Sequence, residues 1–253
     1  MSSRPAFFRR SNAVPAWLSG AGFAVVVLLG VSGIRAADGP ATAPTEQPAA
    51  AGKPDRHPAL KRLSKTEEVW VDKDRKEVVV GAKVVLDDGP IEVFACPEKT
   101  KEHEAVVAVR SSARLIHAAL LAIGLEPGSP VKFSPAYAAA RGPVVAVRMR
   151  WTDESGAVQE ARAQDWVRDA STGAALAADW VFAGSGWWHD PRDGAAAYLA
   201  DGGELVCVSN FSTAMLDLPI ESSQANDALL FEAFAGRVPP AGTRVEMILS
   251  AGR

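Results

Sequence analysis

At 253 residues, 48% of them hydrophobic, the chain is long enough for one domain with a substantial core beyond any leader, and its formal net charge is −3. Residues 1–37 hold four of the 27 basic residues and none of the 30 acidic ones, so everything after them carries −7. That sign argues against nucleic acid or anionic lipid as a partner of the folded part, because both are bound chiefly through excess Lys and Arg.

Arg4, Arg9 and Arg10 precede an uncharged run from Ser11 to Ile34 centred on FAVVVLLG, the pattern of an export segment. The run exceeds the roughly 7–15 residues of a signal-peptide core and approaches the roughly 20 that span a bilayer. Residues 1–37 are therefore read either as a signal peptide cleaved near Ala36 and Ala37 or as a retained anchor tethering the chain to the membrane through residues 14–34. Both place the rest outside the cytosol, periplasmic or secreted. Residues 38–64 read as a disordered tether, with Pro40, Pro44, Pro48, Pro54 and Pro58 among alanines and polar residues. His57 falls within it and is expected to be solvated.

The globular domain is expected over residues 65–253. VWVD and KEVVVGAKVVL flank a hairpin turn at Lys73-Asp74-Arg75, and Asp87-Asp88-Gly89-Pro90 leads into IEVFAC. VVAVRMRW alternates apolar and polar, then turns at Asp153-Glu154-Ser155-Gly156 into VQEARAQDWV; DWVFAG, ELVCVSNF, ALLFEAF and RVEMIL follow. Between these strands lies one helix. Ser111 and Ser112 offer caps for its first turn, Leu115 to Leu125 carries no charge, and Gly124 with Pro127 ends it. An uncharged helix reads as buried on all sides. The expected fold class is therefore α+β: a mostly antiparallel sheet with one well-defined buried helix, in a single domain.

The segments EVFACPEKTKEHEAVVAV, LIHAALLAIGLEPGSPV, AQDWV, DWVFAGS, YLADGGELVCVSNFSTAMLDLPIESS and LLFEAFAGRVPPAGT cover nearly all of residues 67–249. Through them the chain resembles the YdjY-like domain family, exported bacterial proteins of unestablished function. Some proteins with such a domain look associated with iron–sulfur modules, but two cysteines are too few for a cluster that takes about four. The resemblance implies a family and names no activity.

Cys96 at the end of one strand and Cys207 within another make an even pair, read as a disulfide if the chain is exported or as two buried free thiols. A third reading joins them to His103, in the polar loop after Cys96, and to His117, in the helix, as a Zn²⁺ or copper site or a thiol-dependent redox site. The spacing matches no standard zinc motif. No phosphate loop, dinucleotide fingerprint, HExxH or nucleophile elbow is present, so no catalytic residue is assigned. Trp187 and Trp188 are adjacent, so on a strand they would face opposite ways and could expose an indole. Two function classes follow: a non-catalytic binding or structural module of the cell envelope, or the metal- or thiol-dependent site of Cys96, His103, His117 and Cys207.

Overall fold

The alternation in VVAVRMRW forms a strand because residues two apart share a face, and here one face is wholly apolar. The computed structural model describes residues 55–222 and 230–252; the expected export segment and most of the tether lie outside them. Eight strands carry the fold. In chain order they are β1 (Glu77–Val84), β2 (Val93–Pro97), β3 (Ala105–Val109), β4 (Val144–Thr152), β5 (Trp180–Phe182), β6 (Val206–Cys207), β7 (Leu216–Asp217) and β8 (Arg244–Ala251). They neighbour one another in the order β1–β8–β4–β5–β7–β6–β2–β3, and β3 returns to β1 through Ala82↔Val109, Lys83↔Ala108 and Val84↔Val107. The β2–β3 and β6–β7 pairs are parallel, and the others antiparallel.

The sheet is thus a closed barrel, and this corrects the expected α+β class of a sheet with a buried helix. Closure leaves none of the eight strands with an unpaired edge, and eight strands enclose a space that side chains can just fill. Val78, Val80, Phe94, Val107, Val145, Val147, Met149, Trp180, Phe182, Met247 and Leu249 belong to that filling, all buried in one cluster. The core is centred on the barrel interior, and the helix adds only one buried face to the same cluster.

The one α-helix among the described residues, α1 (Ala113–Ala122), is short and begins and ends where its signals lie. The Ser112 hydroxyl accepts the Leu115 N–H at 3.3 Å, Gly124 takes φ +92°, and the Leu125 N–H returns to the Leu120 carbonyl at 3.1 Å. Its burial is one-sided. Ala113, Ile116, Ala119, Leu120 and Ile123 are buried, whereas Leu121 is 46% exposed and Arg114, Ala118 and Ala122 face water. Exposed alanines cost little in a helix, so lack of charge conceals an ordinary amphipathic pattern.

His117 is half-buried on α1. Tyr198 donates its hydroxyl hydrogen to the Gly184 carbonyl at 3.0 Å, so the 2.8 Å contact between His117 Nδ1 and that hydroxyl is an Nδ1–H donating to oxygen. Burial lowers the His117 pKa, which keeps the ring neutral. Because Tyr198 keeps its own acceptor when the imidazole is removed, His117→Ala is expected to destabilise by about 1–2 kcal/mol in urea unfolding. A loss above roughly 4 kcal/mol would show that this contact organises far more of the fold than its geometry suggests.

Two of the segments outside the barrel shape its surface. The hairpin of Trp187–His189 with Ala196–Tyr198 leaves Trp187 and Trp188 50% and 49% exposed, so both indoles, not one, reach the surface. The segment from Asp55 to Arg62 crosses the outer face, where Leu60 packs with Trp70, Val79 and Ile248.

Candidate functional site

The outer face of β4 and β8 carries charge where the barrel wall could have been neutral. In β4 the residues alternating with Val147 and Met149 are Arg148 and Arg150, and in β8 the outward Glu246 stands opposite Arg150. Glu246 is only 8% exposed because the segment from Asp55 covers it. Two contacts with Trp70 hold that segment in place: its indole N–H donates to Asp55 Oδ1 at 2.8 Å, and the His57 ring meets it edge-on at 4.9 Å, while the His57 N–H donates to the same Asp55 oxygen at 3.1 Å within the segment. His57 is therefore no solvated linker residue.

Around Glu246 basic side chains converge. His57 Nε2 lies 2.7 Å from Oε1, Arg56 lies 3.4 Å from the same oxygen, and Arg150 donates through Nε and Nη2 to Oε2 at 3.1 and 2.7 Å. Burial alone would raise the Glu246 carboxyl, but the Arg150 and His57 contacts outweigh it and hold its pKa below the usual range. Arg56, His57, Arg150, Arg244 and Glu246 line a groove of about 500 Å³, within the range of small-ligand sites. Arg244 has no ion-pair partner among the described residues and is exposed at the rim. Three guanidinium groups against one lining carboxylate make this groove cationic on a domain that is acidic as a whole.

A second polar group lies inside the structure. Asp217 on β7 is fully buried; its Oδ1 accepts the Leu218 N–H at 2.8 Å and the Asn210 amide at 3.2 Å, and its Oδ2 is buried without a partner. Burial pushes its pKa up to about 7, although the hydrogen bonds from Asn210 and Leu218 pull it down. Asn210 also ties the neighbouring segments, accepting from the Tyr137 hydroxyl at 3.1 Å and the Ser222 N–H at 2.8 Å.

The four residues of the expected thiol or metal site take separate roles. Cys96 and Cys207 share an apolar cluster with Val93, Ala105, Ala108 and Ala214, yet both are free thiols, and Cys207 stands opposite Val93, three residues along β2 from Cys96. Burial pushes Cys96 up to about 11 and raises Cys207 well above its ordinary value, the opposite of an activated thiolate. The His103 side chain is 77% exposed beside Glu104, and His117 is engaged with Tyr198. Among the described residues no group of three or more His, Cys, Asp or Glu side chains is placed to hold a metal ion.

Arg150, Arg244 and Glu246 were not singled out by the sequence, and His57 was read there only as a solvated tether residue. The available signal was the charge in RMR and VEM, polar residues alternating with core residues in two strands, which marks a shared outer face.

Fold and surface together define a small closed-barrel module with a cationic groove and a densely filled interior. The family of YdjY domains matches residues 69–250, and the chain belongs to that family. No curated protein and no solved structure matches the chain.

Proposed function

We propose that the domain is a non-catalytic binding module whose ligand is a small anion taken up in the groove of Arg56, Arg150 and Arg244. The observation that supports it is the uncompensated Arg244 guanidinium beside two arginines already fixed on Glu246, since planar guanidinium donors match carboxylate and phosphate oxygens. Fixing Arg56 and Arg150 in advance lowers the ordering cost of binding. The uncharged run within residues 14–34 supports a place at or beyond the cell membrane. Titrating the mature domain with acetate and inorganic phosphate, followed by NMR shifts of the Trp151 indole and the arginine side chains, is expected to show saturable binding weakened about tenfold by Arg244→Ala and further by salt. Anions that never saturate the shifts, or that bind Arg244→Ala equally well, would overturn the reading.

A further inference from the structure

The cationic groove continues into partly apolar surface. Trp151, Thr152 and Val158 belong to its lining, and Trp151, Thr152 and Thr243 also line an adjoining cavity of about 400 Å³ with Val238, Pro239 and Pro240 beside the charged Asp153, Glu154 and Arg237. Val158 is 69% exposed and pairs with Thr152 in the β4 ladder, which sets its side chain on the groove side with Glu160 and Arg162 of the same strand. Trp151 lines both spaces from the inward side of β4, where its indole meets the buried Trp166 edge-on, 5.2 Å between ring centroids, and is held in place. A bare inorganic ion would meet the arginines and leave this lining wet. Charge sets the other end of the ligand: Glu68 and Glu246 answer Arg56, and Glu246 also answers Arg150, which leaves Arg244 as the groove's cation without an ion-pair partner among the described residues.

We infer that the ligand is an amphipathic monoanion, a carboxylate joined to an apolar body of one or two rings or a short acyl chain. The carboxylate sits at Arg244 between Arg56 and Arg150, and the body lies along Trp151 and Val158 toward Pro239 and Pro240. A carboxylate suits the fork of a single arginine, and a second negative charge would find less compensation on a chain that carries −7 beyond residue 37.

This inference rests on the anion-binding reading above, and three probes separate the two: acetate, 1-naphthoate and neutral 1-naphthalenemethanol, each titrated calorimetrically against the mature domain. Burying an aromatic body on apolar wall is expected to make 1-naphthoate bind at least tenfold tighter than acetate and the neutral alcohol at least tenfold weaker than 1-naphthoate. Val158→Ser, a change at an exposed position, should weaken 1-naphthoate severalfold and leave acetate unchanged, whereas Arg244→Ala should weaken both. Equal affinity for acetate and 1-naphthoate would sink the apolar half of the proposal and leave anion binding standing. Failure of both anions would remove the anion-binding reading and this inference with it. Alcohol binding as tight as 1-naphthoate would overturn the carboxylate assignment.

Discussion

Raising the pH from about 4 to about 8 is expected to take about 4 kcal/mol of stability from the domain through Asp217 alone, and Asp217→Asn should abolish that dependence. In the unfolded chain the carboxyl titrates near 3.8, and in the fold burial raises it to about 7. Between those values the folded state binds the extra proton, so stability falls as pH rises through the window and the loss is complete above the folded pKa. Three pH units correspond to about 4 kcal/mol at 1.36 kcal/mol each. Below pH 4 the variant should be the weaker protein, because its amide places N–H donors where Oδ2 has no partner, at a cost of about 1–3 kcal/mol. Urea unfolding of both proteins from pH 4 to 8 isolates the effect as a difference curve. A difference that stays constant with pH would mean that Asp217 is charged and compensated in the fold, by a group or an ordered water at Oδ2.

Local structure was legible in the sequence because its causes are local. Ser112 and Gly124 bound α1 through their own hydrogen bonds and backbone angles, and the period-two pattern of β4 follows from its own residues. Barrel closure had no such signal. It depends on β1 pairing with β8 along most of its length and with β3 only at Ala82–Val84, and on two strands, Val206–Cys207 and Leu216–Asp217, too short to show any period. The site was hidden for a related reason. Asp55 to Leu60 has the composition of a tether, and it is fixed by Trp70, Val79 and Ile248, residues far along the chain that no local pattern connects to it. Cys96 and Cys207 do share a cluster, but strand register sets them apart along the ladder, a relation that spacing in sequence does not encode.

Trp180→Ala is expected to cost about 3–5 kcal/mol, and Trp180→Phe about 1–3, with the difference measuring how much of the barrel depends on one indole. Trp180 is fully buried on β5, 5.6 Å between ring centroids from Phe94, which comes from β2 three neighbours away around the barrel. Its ring therefore spans the interior, and its Nε1–H donates to the Cys207 carbonyl at 2.7 Å. That carbonyl lies where the β6–β2 register shifts between Val206 and Cys207, an irregularity that interrupts the ordinary ladder and turns a backbone acceptor toward the indole. Phenylalanine keeps most of the apolar volume and orphans the acceptor; alanine opens a cavity between strands from opposite parts of the barrel as well. Thermal and urea unfolding of both variants should thus rank wild type above Trp180→Phe above Trp180→Ala by separated steps. Two equal losses would assign the whole effect to the hydrogen bond and none to interior packing, and two negligible losses would contradict a filled closed barrel.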